Sequence, residues 1–349
     1  MPAFNPNAFL DRLKKGAALQ EVVAVDFSQA EPKCARLRAV NGGVQLAAAD
    51  VLPPVQEHGG EAGSKDGRKP VELSKHLMSR SAILCLPGKN ALVKLLSLPG
   101  HLDGGSEAKI RDDMGVSSGE YRIGYKDLGY SHGRVETKLL TVAMPEVDVQ
   151  RYLGYFLSGW PVPVSIELAG LAAINAFVRG YLEHCADKSL GVIQLEDDVS
   201  FFAFLHEKEL VLIRKYDFGY NNILSAIQSR LSVNRETALN VAADQSFDIS
   251  QMIKEVCDPF VRQLVISKHF VERRENCRVT RIFIPGHAAA SRRLAQEVRV
   301  ASESEIEEWD AFKGLVVQPE IVAPRLAGQN SLLAASIGAA VGFFEDNGK

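Results

Sequence analysis

The residues best suited to phosphate chemistry lie in the turn that follows the first apolar strand. This turn reads Asp26-Phe27-Ser28-Gln29-Ala30 and leads to Lys33. Backbone N–H groups and the Ser28 hydroxyl could bind phosphate oxygens, Asp26 could hold Mg²⁺ through water, and Lys33 could neutralise charge. Phosphate turns favour glycine because the backbone approaches the ligand closely, but this turn has none and contains Pro32. A polar hairpin accounts for these residues equally well, so both interpretations stay open.

A second candidate turn consists of three consecutive acids, Glu196-Asp197-Asp198. Their carboxylates would lie where phosphate oxygens must bind, and without a metal they would repel ATP. Three adjacent acids could bind a divalent ion, but neighbouring strand residues point in alternate directions. We therefore expect a solvated acidic turn here.

A third candidate is a strand that ends in Pro285-Gly286-His287 and could adjoin an adenine or a ribose. Only one glycine is present. No acidic residue nearby would orient His287 as a catalytic base, so an ordinary turn histidine is the favoured interpretation. The sequence predicts no catalytic residue and no metal ligand.

The elements that would position these turns form a pattern that occurs twice. Strands are predicted at residues 21–26, 33–40 and 44–52, with a hairpin signal at Asn41-Gly42-Gly43. The second copy has strands at residues 190–195, 199–205 and 210–216. Two such meanders favour a two-lobed α/β protein, although two unrelated meanders remain an alternative.

The rest of the chain divides into further helices and strands. Residues 59–69 are predicted to be an exposed loop. A compact βαββα block is predicted from strands 91–98, 121–129 and 135–144 and helices 106–114 and 146–157. Helices are also predicted at 166–182, 220–231, 235–243 and from 291, and a strand at 281–284. Asp258-Pro259 is expected to open a helix as N-cap and first residue, and an Ala- and Gly-rich helix closes the chain at 330–344.

Composition excludes several functional classes. The chain has 349 residues, 46% hydrophobic and 24% charged, and its 40 basic and 43 acidic residues give a net charge of −3. Nucleic-acid binders usually carry a basic excess, and the densest basic cluster, residues 273–281, is interpreted as a solvated face. The five cysteines form no CxxC pair, which argues against zinc or redox chemistry and favours reduced cytoplasmic thiols. Residues 1–16 lack a signal-peptide core, and the apolar stretch 332–344 is too short to span a membrane.

Several motifs together resemble a known family. Asp26 and Lys33 match the ends of an Asp-x-Gly-Ser…Lys run in which Ser28 replaces the glycine, and Glu167 matches a later glutamate. Gln194 and Glu196 replace a usual aspartate and glycine, while Gly219, Gly286 and the helix at 335–340 match family glycines and a closing Ala-x-Gly helix. In their order and spacing over residues 20–345, these motifs resemble the PilM-type pilus assembly proteins, relatives of FtsA and actin. The chain is also similar to the cytoplasmic domain of GspL.

The resemblance implies a two-lobed actin-like (ASKHA) fold with duplicated βββαβα cores and a small inserted 1C-type subdomain. It divides the chain into an N-terminal tail at 1–19, a first lobe at 20–88, the inserted subdomain at 89–164, a linking helix at 165–188, a second lobe at 189–329 and a closing helix at 330–349. Nucleotide contacts would come from Asp26, Ser28, Gln29, Ala30, Lys33, Gly219, Gly286 and His287.

The implied function is that of a cytoplasmic adaptor in a type IV pilus or type II secretion-like machine. Such a protein docks the cytoplasmic N-terminal peptide of a PilN-type membrane protein in a groove lined here from residues 91–144. It lies at the inner membrane through partners, without inserting, and pilus ATPases and self-association are further contacts that the resemblance allows. Because most nucleotide-contact positions have changed, no cofactor and no enzymatic activity are expected. An active ATPase or kinase that binds ATP with Mg²⁺ remains the alternative.

Overall fold

The structure is a computed structural model that describes residues 20–41, 43–55, 70–131, 135–156, 159–244, 246–286, 289–318, 321–326 and 328–347. The predicted N-terminal tail, the predicted loop at 59–69 and His287 lie outside the described residues. The chain forms two compact units. The first comprises residues 1–86, 150–183 and 311–349, and the second comprises residues 87–149 and 184–310. The division into lobes and an inserted subdomain stays a prediction.

The first unit is built on a six-stranded sheet. Its strands are β1 (Glu21–Asp26), β2 (Lys33–Val40), β3 (Gly43–Val51), β4 (Ser81–Leu86), β8 (Val162–Leu168) and β14 (Val316–Val317). Their spatial order is β14-β3-β2-β1-β4-β8. Strands β1, β2 and β3 form the predicted antiparallel meander, and β4 and β8 continue the sheet in parallel. The first meander is therefore confirmed.

Two helices of the first unit pack unusually closely. These are α3 (Ala169–Tyr181) and the closing helix α8 (Ala334–Asn347). At Gly338 a β-carbon would collide with the Ala172 carbonyl oxygen and would lie 2.7 Å from the Ala176 nitrogen. Only glycine permits this approach, and the predicted Ala- and Gly-rich closing helix is present.

The second unit contains a five-stranded sheet with the same connectivity. Its strands are β9 (Ser189–Leu195), β10 (Ser200–His206), β11 (Glu209–Tyr216), β12 (Arg281–Pro285) and β13 (Glu305–Trp309), in the order β11-β10-β9-β12-β13. As in the first sheet, three antiparallel strands are followed by two parallel ones. Its helices are α4 (Tyr220–Leu231), α5 (Arg235–Ala243), α6 (Ser250–Arg274) and α7 (Ala289–Ser302). A shared core that includes Phe202, Phe260 and Leu264 joins the helices to the sheet.

The predicted βαββα block is also present. Strands β5 (Leu92–Pro99), β6 (Tyr121–Ser131) and β7 (Glu136–Pro145) form a sheet in the order β5-β7-β6. Helix α1 (Ser106–Met114) covers one face through a small core of Leu98, Ile110 and Leu139. Helix α2 (Glu146–Leu153) follows and ends in a short 3-10 turn at Gly154–Phe156. No helix in the described ranges is long and apolar enough to cross a membrane.

Two predictions about secondary structure were wrong. Residues 166–168 belong to β8 instead of a helix, and helix α3 begins only at Ala169. Asp258-Pro259 does not open a helix, because α6 begins at Ser250 and contains Pro259. Buried Ile253 and Cys257 precede the proline on the core face, and Phe260 follows it. Burial on both sides outweighs the cost of one lost backbone hydrogen bond.

Candidate functional site

The structure brings the first-turn residues together in one hairpin of the first unit. Asp26 ends β1 and lies opposite Lys33, which begins β2. Both are buried, with exposed fractions of 4% and 5%. The Asp26 carboxylate accepts a hydrogen bond from the Ser28 N–H at 2.9 Å, and the Lys33 ammonium donates to the Glu31 carbonyl. Asp26 and Lys33 thus serve to close their own turn.

The base of this hairpin is fixed by packing. Phe27 is buried, its N–H donates to the Cys85 carbonyl at 2.9 Å, and its ring stacks on Tyr155. Behind the hairpin, burial raises the pKa of the Cys34 thiol, and the negative charge of Asp26 raises it further. Cys34 therefore stays a protonated thiol and is a poor nucleophile. Gln29 and Ala30 lie at the tip of the turn, Gln29 half-buried and Ala30 exposed.

The second turn differs from its prediction at Glu196. This residue is 2% exposed, whereas a solvated turn was expected. One carboxylate oxygen accepts a hydrogen bond from the Gly88 N–H at 2.8 Å. Gly88 follows β4 in the chain and lies under the ring of Phe201, so that a β-carbon there would be 2.7 Å from the ring atom Cε2. The turn is thus filled by its own acid and by the segment that begins at Gly88.

The backbone donors beside this turn are also engaged. The first two N–H groups of helix α4, those of Tyr220 and Asn221, donate to the carbonyls of Glu196 (3.0 Å) and Asp197 (2.8 Å). Helix N-termini are common phosphate sites because these donors usually have no partner within the helix. Here the acidic turn itself uses them. The arrangement closes the turn onto α4 without a ligand.

Two ionisable groups complete this network. The pKa of the Asp198 carboxyl is lowered, first by a hydrogen bond from the Asn221 amide (2.8 Å) and then by Lys89, whose ammonium lies 3.2 Å away. Burial lowers the pKa of Lys215, whose ammonium donates to the carbonyls of Gly88 (3.3 Å) and Lys89 (2.7 Å). Asp198 and Lys215 therefore both bind the segment of Gly88 and Lys89.

The glycines predicted at the nucleotide site have packing roles. A β-carbon at Gly219 would lie 2.5 Å from the Asp197 carbonyl oxygen, so glycine is what lets α4 approach the acidic turn. A β-carbon at Gly286 would lie 2.5 Å from a carboxylate oxygen of Glu308.

Glu167, which matches the family pattern, lies in β8 and accepts a hydrogen bond from Ser165 at 2.9 Å. The candidate residues fall into two groups, 26–33 in the first unit and 219–286 in the second.

The sequence did not reveal the residues that fill the second turn. Gly88 donates to Glu196 from 108 positions away, and Lys215 interacts with it electrostatically from 19 positions away. Neither residue carries a local motif. The only hint was a Pro87-Gly88 pair after an apolar strand, which indicates a turn but not its partner. Within the described part of the chain, no group of His, Cys, Asp and Glu is arranged to hold a metal ion.

Comparison with known proteins identifies the fold. No family model matches the sequence, and no curated protein matches it. The solved structure of a PilM-PilN type IV pilus biogenesis complex superposes with a TM-score of 0.73 at 15% identity, over 92% of this chain and 98% of that chain. The ethanolamine utilization protein EutJ from Carboxydothermus hydrogenoformans gives a TM-score of 0.42 at 12% identity, covering 95% of this chain and 93% of that one. The archaeal actin homolog Ta0583 gives 0.45 at 11%, covering 93% and 99%. The likeness to the PilM-PilN structure, and the strand order that the two sheets share apart from β14, show that this chain has the two-lobed actin-like fold.

Proposed function

We propose that this chain is a PilM-like adaptor of a type IV pilus or type II secretion-like machine. It would dock the cytoplasmic tail of a PilN-type membrane protein and thereby reach the cytoplasmic face of the inner membrane. The observation that carries the proposal is the superposition on the PilM-PilN structure over nearly the whole of both chains. A likeness of this extent supports a shared mode of use, whereas fold alone does not establish function.

An apolar face in the βαββα block supports the docking step. On the face of the β5-β7-β6 sheet opposite α1, cross-strand neighbours Val93 and Val142 form one row, and Leu95 and Leu140 form the next. All four side chains are half-buried in the second unit. Partly exposed aliphatic rows on a sheet are suited to receive alternate side chains of an extended peptide. We propose that the partner's tail contacts this face.

The second turn supports an adaptor without nucleotide chemistry. Its acid Glu196 is bonded to Gly88, and the neighbouring helical N–H groups are engaged by backbone carbonyls. A phosphate would have to displace these contacts and face a buried acid. We propose that the chain carries a degenerate nucleotide site.

The direct test measures binding of a synthetic peptide that corresponds to the cytoplasmic N-terminal tail of the candidate PilN-type protein. Titration calorimetry with the wild-type chain should show saturable binding. Leu95→Asp should weaken it by at least about tenfold because a charge replaces a buried aliphatic contact. Ala108→Asp introduces the same charge at an exposed position of helix α1, which covers the other face of the sheet. It is the matched control and should bind nearly as the wild type. Absence of binding by any such tail would refute the docking proposal.

The alternative, an ATPase that uses Mg-ATP, is favoured by one observation. The first turn keeps a buried acid and a buried lysine side by side at Asp26 and Lys33. A ligand that binds the folded state raises its thermal stability. Millimolar ATP with Mg²⁺ should therefore leave the melting temperature unchanged if the site is degenerate. A clear upward shift, together with measurable ATP turnover, would reverse the ranking of the two functions.

A further inference from the structure

The basic cluster at residues 273–281, interpreted from sequence as a solvated face, divides into two kinds of arginine. Arg274 pairs with Glu275 at 2.6 Å, and Arg281 forms ion pairs with carboxylates of β13. Arg273 and Arg278 are exposed, and among the described residues neither has a carboxylate within ion-pair distance. Two cations at the C-terminal end of α6 are therefore available to an external anion.

Apolar side chains lie on the same part of the helix. Ile266 is 55% exposed and Phe270, one turn later, is 40% exposed. Arg273 follows at the next position of this face, and the Arg274 guanidinium lies 5.2 Å from the centre of the Phe270 ring. Aromatic residues, phenylalanine included, and arginine are both enriched at protein interfaces relative to the rest of the surface. This composition distinguishes the helix end from an ordinary solvated face.

The surface beside these residues is concave. A depression of about 380 Å³ and a second, more open one of about 730 Å³ meet at Asn276. His269 and Arg273 line the open depression, and Arg278 lines the smaller one. Both depressions are open and lined mainly by polar and charged side chains, and they border Ile266 and Phe270 without including them, so they offer polar contacts to the residues that flank an apolar anchor. A planar membrane surface would leave them unfilled.

The ridge between the depressions is held rigidly. The Glu272 carboxylate pairs with the buried Lys268 at 2.8 Å and accepts a hydrogen bond from the Val279 N–H at 2.9 Å. Asn276 adopts a left-handed conformation with φ of 48°, which asparagine tolerates better than most residues. The Cys277 N–H donates back to the Glu272 carbonyl at 3.0 Å. A fixed surface loses little conformational entropy when a partner binds.

We propose that the C-terminal end of α6 is a docking surface for an acidic protein segment with one apolar anchor residue. The anchor packs against Ile266 and Phe270, and flanking carboxylates pair with Arg273 and Arg278. The acids already present oppose this charge little, because Glu272 and Glu275 are each paired with a cation. Asp187 and Glu207, which line the smaller depression with Arg278, are also within ion-pair distance of cations, at 3.5 Å from Arg281 and 4.0 Å from Lys188. The proposal goes beyond the adaptor function and concerns a surface separate from the β5-β7-β6 sheet.

The test is a selection from a displayed library of random dodecapeptides on the purified full chain, followed by affinity measurements on the enriched peptides. Enriched peptides should carry Asp or Glu around an aromatic residue or leucine. Their affinity should fall by about tenfold or more for Arg273→Glu combined with Arg278→Glu, and should fall for Phe270→Ala. Lys254→Glu, which reverses an exposed charge near the start of the same helix, is the matched control and should change little. Circular dichroism melting confirms that each variant is folded.

Three outcomes would overturn the proposal. These are no enrichment of acidic peptides, equal binding by the wild type and the double arginine variant, or loss of binding in the Lys254→Glu control. Vesicles that contain phosphatidylglycerol are measured in parallel. Binding of vesicles that depends on Arg273 and Arg278, without selected peptides, would assign the surface to anionic lipid instead. Because no PilN-type peptide takes part, failure here is independent of the adaptor proposal.

Discussion

The close approach of Gly88 to Phe201 gives a sharp test of how the second turn is filled. A β-carbon at position 88 would lie 2.7 Å from Cε2 of the Phe201 ring and closer still to Cζ, and the ring is fully buried. Ordinary contacts between carbon atoms are about 3.5–4.0 Å, so an overlap of roughly 1 Å must be relieved by moving the ring or the segment. Overpacking of this kind costs about 1–3 kcal/mol.

Gly88→Ala also loses unfolded-state entropy, which returns about 0.4–1 kcal/mol. We therefore expect a net loss of about 1–2 kcal/mol in the free energy of unfolding. Urea titration followed by tryptophan fluorescence and circular dichroism measures it, and both signals are needed because two compact units need not unfold together. Gly124→Ala is the matched control, since no atom lies within 4 Å of a β-carbon there. Its effect should stay within about 0.5 kcal/mol.

A double-mutant cycle identifies the partner of Gly88. Phe201→Ala alone should cost about 3–5 kcal/mol because it leaves a cavity. The new methyl group of Gly88→Ala would enter that cavity, so the double variant should be more stable than the sum of the two losses by about 1 kcal/mol or more. Additive losses, or a Gly88→Ala variant as stable as Gly124→Ala, would show that Gly88 does not lie under the ring. The account of a filled second turn would then fail.

Three further predictions concern the same network and the closing helix. Glu196→Ala should lower the free energy of unfolding by about 1–3 kcal/mol, because the buried Gly88 N–H loses its acceptor. Glu196→Gln keeps an acceptor and should cost less. Urea titration compares the two variants, and equal losses would argue against this hydrogen bond. Asn221→Ala should raise the pKa of Asp198 toward 3.8. The lowered pKa of Asp198 stabilises the folded state above pH about 3.8, and this stabilisation disappears as the pH falls through the folded pKa. The variant should therefore lose stability at neutral pH but little in strong acid. An unchanged Asp198 titration, followed by NMR, would contradict this prediction. Gly338→Ala should cost about 1–3 kcal/mol or more, since the collision is with helix backbone that cannot rotate away, and wild-type stability in a thermal melt would disprove the close helix contact.

The sequence predicted the strands whose signals are local. The apolar runs at β1 and β9 and the glycine hairpin before β3 need no knowledge of the rest of the chain. Strand β8 was missed because Pro163 lies within it, and proline usually argues against a strand. In the structure β8 is an edge strand, and its pairing with β4 shifts register beside Pro163. An edge position tolerates proline, but only the assembled sheet shows which strand is at the edge.

The candidate site shows the same limit in its chemistry. That the acidic turn is unsuited to phosphate stays a prediction, whereas the expectation that Glu196 is solvated was wrong, because this side chain is buried. A carboxylate becomes buried when it gains a specific donor, and here the donor is the Gly88 N–H, 108 positions away. Nothing in the residues 194–198 indicates that contact. Long-range partners of this kind decide whether an acid is a solvated surface group or a structural one.

The energetic consequence for a nucleotide follows from the burial of Glu196. A phosphate oxygen that took over the Gly88 N–H would lie about 4 Å from this carboxylate and would meet a repulsion of about 4 kcal/mol at an effective dielectric constant of about 20. It would also leave the acid without one of its donors, which costs roughly a further 1–3 kcal/mol. A penalty of about 5 kcal/mol weakens binding several-thousandfold, enough to move a micromolar site beyond cellular nucleotide concentrations. Glu196→Gly removes both costs, but the N–H groups of Tyr220 and Asn221 stay bonded to backbone carbonyls. This variant should therefore gain no ATP-dependent thermal stabilisation. A gain would show that the Glu196 side chain alone prevents nucleotide binding.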